Sequence, residues 1–160
     1  MIFYTVITGY TKTILKENFM ETLKKQIYDV IKMPHLSNFA TITEDGKPWT
    51  RYVMAIGAED LTIRFSSYTD ARKVSQIKNN SEVHITCGAE STKDMKPYLQ
   101  IQGIASYETS EAERHAFWNP ALEGHFDGPD DPRYAVVVVK PYRIEYSAPM
   151  TSDKVEVWEK

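Results

Sequence analysis

The chain has one cysteine, Cys87, so no disulfide can close within it. Its setting, Val83-His84-Ile85-Thr86-Cys87, reads as a buried strand and suits the reducing environment of a cytoplasm. Seven glycines and eight prolines in 160 residues are too few and too scattered for a collagen-like or linker-rich chain. There is no cationic excess: 19 Lys and Arg stand against 22 Asp and Glu, a formal net charge of -3. A general electropositive field for nucleic acid is thereby excluded, and any basic site must be local. Long apolar runs are missing as well. The moderately apolar start, Met1 to Gly9, contains Thr5 and Thr8 and is soon followed by Lys12, which fits neither a secretory signal nor a membrane span. No internal repeat and no Ser-His-Asp or Cys-His pattern of nucleophilic catalysis is present. His115 and His125 with Asp127, Asp130 and Asp131 match no metal-ligand spacing, and acids in Asp-Gly and Asp-Pro sequences are ordinarily turn formers. His84, alternating within a strand, reads as structural.

Hydrophobic residues make up 42% and charged residues 26%, the balance of a soluble globular protein, at a length that supports one domain. From Met20, the apolar residues Leu23, Ile27, Val30 and Ile31 alternate with Glu21, Lys24, Lys25 and Asp29 at amphipathic helix spacing. After Pro34 the period changes to two. Ser37 to Thr43 alternates, Glu44-Asp45-Gly46-Lys47-Pro48 supplies a hairpin turn, and Trp49 to Ile56 returns as a second strand. Leu61 to Ser66 is the third strand, Ser81 to Gly88 the fourth, and Pro97 to Glu108 the fifth, with Gly103 marking a bend or bulge. Ser110 and Glu113 have capping-box spacing at a helix start. Asn119 to Pro132 reads as a loop. Tyr134 to Val139 is a continuous apolar run, a strand buried on both faces, which resumes past Lys140-Pro141 through Arg143-Ile144-Glu145-Tyr146. Five or six hairpin-linked strands with two or three helices predict a mainly β (α+β) fold, an antiparallel barrel with flanking helices. Residues 1–19 read as an N-terminal tail or extension, 20–150 as the domain, and 151–160 as a C-terminal tail.

The most informative stretch is Leu61-Thr62-Ile63-Arg64-Phe65-Ser66-Ser67, followed by Tyr68-Thr69-Asp70-Ala71-Arg72-Lys73-Val74. An alternating strand ends in hydroxyls and runs through a short polar link into a helix with adjacent Arg and Lys in its first turn. Such a junction can hold a phosphate: hydroxyls and free N–H groups donate, the helix terminus adds positive potential, and two cations neutralise the dianion. The alternative from local pattern is a strand leading into a solvated helix.

The order of these motifs, with the Arg51-containing strand and Gln100-Ile101-Gln102-Gly103, resembles the flavin-binding split barrel of pyridoxamine 5'-phosphate oxidase-like proteins. Phe117-Trp118-Asn119-Pro120, Asp130-Asp131-Pro132 and Arg143-Ile144-Glu145-Tyr146 are more particularly similar to its general stress protein branch. The resemblance implies a homodimer with FMN in a groove between subunits. It implies that Arg72 and Lys73 bind the phosphate with Ser66 and Ser67, and that Arg51, Tyr52, Val53 and Met54 present an edge strand to the isoalloxazine. Gln100 would contact the flavin from the partner subunit, and Trp118 would pack near the ring. Hydride exchange with a nicotinamide or small organic substrate is the implied activity; a non-catalytic flavin carrier, or a heme- or deazaflavin-binding barrel, are the alternatives. Three departures stand out. Nothing after Tyr146 matches the Arg and His elements with which true pyridoxamine phosphate oxidases bind substrate. Ser147 stands where an aromatic commonly follows the Glu-Tyr pair, and His125 replaces a frequent Trp.

Overall fold

The computed structural model describes the backbone of residues 2–160 other than 90, 92 and 94, and side chains from residue 13 onward. Its strands are β1 (His35–Ile42), β2 (Pro48–Gly57), β3 (Ile63–Tyr68), β4 (Glu82–Cys87), β5 (Tyr98–Glu108), β6 (Tyr134–Ser147) and β7 (Glu156–Glu159). The helices are α1 (Ile2–Ile31), α2 (Arg72–Asn79) and α3 (Glu111–Phe117), with one 3-10 turn at Pro120–Leu122. Strand order is β3-β2-β1-β4-β5-β6-β7, and a further β3–β6 pairing closes the first six strands into an antiparallel barrel. β6 makes closure possible through its length. Its first half pairs with β3, from Tyr134↔Tyr68 to Val139↔Ile63, while Arg143 to Tyr146 pair with β7.

Alternation fills the barrel. Phe39, Val53, Ala55, Ile63, Phe65, Ile85, Leu99, Ile101, Val137, Val139 and Ile144 project inward and are buried. The opposite face of β6 is also covered: Tyr134, Val136 and Val138 join Phe126 in a second cluster against Phe117, Trp118 and Leu122. The continuous apolar run of β6 therefore faces two cores, as its composition requires.

α1 closes one end. Leu23, Ile27 and Ile31 recur every four residues and are fully buried, whereas Ile14, Leu15 and Phe19 are exposed. The helix thus starts well before Met20, and among its described side chains those of the last three turns are the ones anchored in the core. Gly57 lets it approach: a Cβ there would lie 2.3 Å from Ile31 Cδ1. Gly103 marks the expected bulge, where pairing steps from Gln102↔Arg143 to Gly103↔Pro141 and leaves Tyr142 as the extra residue. A Cβ on Gly103 would stand 2.8 Å from Val139 Cγ1.

Three local expectations are revised. Leu61 belongs to the turn before β3, held at φ 68 by bonds such as Ala58 N to Thr62 O, and not to the strand. The capping box is half formed: Ser110 Oγ accepts from Glu113 N, but the Glu113 carboxylate accepts from Arg64 Nε at 2.6 Å. Within the segment read as a C-terminal tail, residues 156–159 add β7 to the outer edge of β6.

Candidate functional site

β2 and β3 pair only at Ile56↔Arg64 and Gly57↔Ile63. β3 is paired with β6 along its whole length, so beyond that point it keeps β6 alone while β2 keeps β1 alone, and the barrel wall splits. Arg51 to Met54 therefore form a free strand edge on that side, facing the wedge bordered by Ser66 and Ser67.

A hollow of about 210 Å³ occupies the wedge, lined by Tyr52, Val53, Met54, Ser66, Ser67, Tyr68, Lys73, His125 and Phe126. Sharing Met54, Ser66 and His125 with it is a larger cavity of about 730 Å³. Its walls come from β2 and from the end of α3 with the following turn, including Ile56, Phe117, Trp118 and Leu122. Asn119, one of its few polar lining residues, is occupied by its own turn: Oδ1 accepts from Ala121 N and Nδ2 donates to Phe117 O.

One cation, Lys73, lines the smaller hollow, and two more act on it in series, Arg51 on Lys73 and Arg72 on Arg51. Lys73 Nζ donates to Ser67 Oγ at 3.1 Å, and burial first, then the Arg51 charge, holds its pKa below the ordinary lysine value. Arg51 is held low by burial and by Arg72. Its guanidinium donates through Nη1 to Thr41 Oγ1 at 2.6 Å and Phe39 O at 3.2 Å, and through Nη2 to Gln76 Oε1 at 2.8 Å. Arg72 is exposed, with its guanidinium 5.3 Å from the Trp49 ring centroid. Among the described residues no carboxylate forms an ion pair with Arg51, Arg72 or Lys73. Three cations that repel one another without a carboxylate make a site that gains by taking an anion. The first turn of α2 adds to it, since Ala71 at the N-cap supplies no side-chain acceptor for the leading N–H groups.

The loop over the wedge is fastened by Asp131, whose carboxylate accepts from the backbone N–H groups of Asp127 and Arg133 and from the Arg133 guanidinium. The Arg133 contact, then the Asp127 N–H, holds that carboxyl well below the usual carboxylate range. His115 Nε2 meets Asp130 Oδ1 at 2.8 Å, and Tyr68 Oη donates to His125 O, so the loop groups serve one another. Cys87 is buried, and burial pushes its thiol up to about 12.

The structure brings Tyr52, Val53, Met54, Ser66, Ser67 and Lys73 to one hollow; Arg51 and Arg72 do not line it, but Arg51 is near enough to act on Lys73 and Arg72 on Arg51. Trp118 lies apart from the cations, in the wall of the larger cavity, and packs edge-on to Tyr134 with centroids 5.5 Å apart. Gln100 is not brought to the hollow within one chain. It lies on the outer barrel face, in a polar recess with His84, Gln102, Arg143 and Glu145. Sequence reasoning missed Thr41 and Gln76, the partners of Arg51; the available signal was a glutamine set between Val74 and Ile77 on the inward face of α2.

Residues 23–148 match the family model described as pyridoxamine 5'-phosphate oxidase. General stress protein 26 of Bacillus subtilis (strain 168) is 30% identical over 121 residues, which cover 76% of this chain and 85% of that protein. The crystal structure of General Stress Protein 26 from Bacillus anthracis str. Sterne superposes with a TM-score of 0.72 at 25% identity, covering 86% of this chain and 98% of the other. A heme binding protein from Mycobacterium smegmatis shares the fold at TM-score 0.68 and 15% identity, over 85% of this chain and 57% of its own.

Proposed function

The chain belongs to the pyridoxamine 5'-phosphate oxidase family, and from that premise we propose that it is an FMN-binding oxidoreductase acting as a homodimer. The observation that carries the reading is the trio Arg51, Arg72 and Lys73, drawn together beside the β2–β3 split with no carboxylate among the described residues to neutralise it. A phosphomonoester fits that donor set: Lys73 and Arg51 supply charge, Ser67 a hydroxyl, and α2 its N-terminal N–H groups. The free edge of β2 offers backbone donors and acceptors to the polar rim of a flavin ring. FMN, when bound, accepts or releases a hydride at its ring.

The larger cavity leaves room for a second molecule beside the flavin, which favours turnover over storage. Its walls, Trp118 and Leu122 among them, are largely apolar. Among the described residues no Lys or Arg lines it. A second phosphate would find no counter-charge there, so a vitamin B6 phosphate is a poor candidate for the substrate. A reduced nicotinamide or a small organic molecule presenting its apolar end suits the walls better. The outer faces of β1 and β2 expose Leu36, Tyr52 and Met54 side by side, which suits a second copy of the chain covering them. On that reading Gln100 serves the partner's flavin.

Replacing Arg72 and Lys73 together by alanine is expected to weaken FMN binding about 100-fold or more, at ~1.5–3 kcal/mol for each charge-assisted contact. Unchanged affinity in the double variant refutes the phosphate assignment. Anaerobic addition of NADPH to the FMN-loaded protein, followed near 450 nm, tests turnover: bleaching supports the enzyme, and an unchanged band with NADPH and NADH supports a carrier. A Soret band in the purified protein contradicts the flavin reading.

A further inference from the structure

Behind the cradle lies a small polar network that the flavin reading leaves unused. Gln76 on α2 is 8% exposed and Thr41 on β1 is 1% exposed. Gln76 Oε1 accepts hydrogen bonds from Thr41 Oγ1 at 2.6 Å and from Arg51 Nη2 at 2.8 Å. Thr41 Oγ1 in turn accepts from Arg51 Nη1 at 2.6 Å. A guanidinium can only donate, so the amide must turn its oxygen toward Arg51, and the orientation of Gln76 is fixed by chemistry. Thr41 then has one arrangement that satisfies both neighbours: its oxygen receives from Arg51 and its proton goes to Gln76. Arg51 is therefore gripped from α2 and from β1 at once.

The grip is made entirely of neutral acceptors. An amide oxygen orients a guanidinium without cancelling its charge; a carboxylate in the same place would do both. Glutamate has nearly the same size and shape as glutamine, and in the free protein it would relieve the repulsion among Arg51, Arg72 and Lys73. Keeping the position uncharged preserves the full charge of the trio for whatever enters the hollow.

We propose that Gln76, supported by Thr41, is a positioning residue that sets ligand choice at the cradle: it aims Arg51 while leaving its charge free, which reserves the site for a flavin ending in a phosphomonoester. This rests on the flavin reading of the cradle. FMN and riboflavin share the ring and differ in the terminal phosphate, so the ratio of their affinities reports what the cradle contributes. General damage to the fold weakens both ligands together. Loss of the charge reserve weakens FMN alone.

The test titrates the full-length protein and its Gln76→Glu variant with FMN and with riboflavin by flavin fluorescence, and follows thermal unfolding of the flavin-free forms with and without inorganic phosphate. The proposal expects Gln76→Glu to weaken FMN about tenfold or more, through lost electrostatic attraction at the cradle. Riboflavin affinity should stay within about twofold, Tm of the flavin-free form should rise, and stabilisation by phosphate should shrink. Equal weakening of both flavins, or no change in either, overturns the proposal. Should Gln76→Glu fail to fold, Gln76→Met serves: it frees Arg51 without adding charge and should also lower the FMN-to-riboflavin ratio, an unchanged ratio being contrary. A wild-type protein that binds neither flavin sinks the flavin reading itself, and the phosphate arm then decides Gln76 alone: lost stabilisation in the variant supports its role, and retained stabilisation overturns it.

Discussion

At the scale of single residues, the account depends on charges kept close together without counter-ions. Lys73 shows the consequence most directly. Burial and the Arg51 charge hold its pKa below the ordinary value, whereas a bound phosphate would raise it. Binding then takes up a proton wherever the free protein has lost one. FMN affinity should be full below the lowered pKa of the free protein and decline as pH rises through it. Lys73→Arg, which keeps its charge at all working pH values, should flatten that decline. Fluorescence titrations from neutral to alkaline pH check this; the same alkaline decline in the variant would contradict it. The pairing of Arg72 with Lys73 was legible in the sequence because the two cations are adjacent and follow Ser66-Ser67. The Arg51–Gln76–Thr41 contact was not, because it joins three elements separated by 10 to 35 positions along the chain.

Among the elements, α1 divides into two parts with different duties. Leu23, Ile27 and Ile31 plug the barrel, whereas Ile14, Leu15 and Phe19 lie exposed beyond it. Ile27→Ala should cost about 2–5 kcal/mol through the cavity it leaves. Leu15→Ala should change stability by less than about 0.5 kcal/mol in the isolated chain. Chemical denaturation of both variants measures the difference; a large loss at Leu15 would mean that the outer helix is covered by something in solution. The inner half was legible because its apolar residues recur on one helical face. The strands were legible where alternation or a continuous apolar run met a turn, as at Asp45-Gly46 or in β6. Two local readings held only in part, for physical reasons. Leu61 adopts a left-handed turn conformation that periodicity does not reveal, and Glu113 is drawn from its own helix cap to Arg64 across the fold. β7 was missed because a four-residue strand carries little pattern of its own; it is placed by pairing with β6.

At the scale of the molecule, the split between β2 and β3 gives a closed barrel an open seam, and the seam gives the cradle its entrance. Next to it, Leu36, Tyr52 and Met54 leave an apolar outer face that a single copy does not cover. If the proposed dimer forms through this face, Leu36→Glu should give a monomer in light scattering and weaken flavin binding with it, since Gln100 lies in a recess apart from the hollow of its own chain. A variant that stays dimeric with full affinity would place the subunit contact elsewhere. The trio Arg51, Arg72 and Lys73 is proposed to bind a terminal phosphate. Calorimetric titration of the flavin-free protein with FMN and, separately, with riboflavin isolates that phosphate. FMN should bind tighter by at least about 100-fold, the worth of two charge-assisted contacts; equal affinities for the two would refute phosphate binding by the trio.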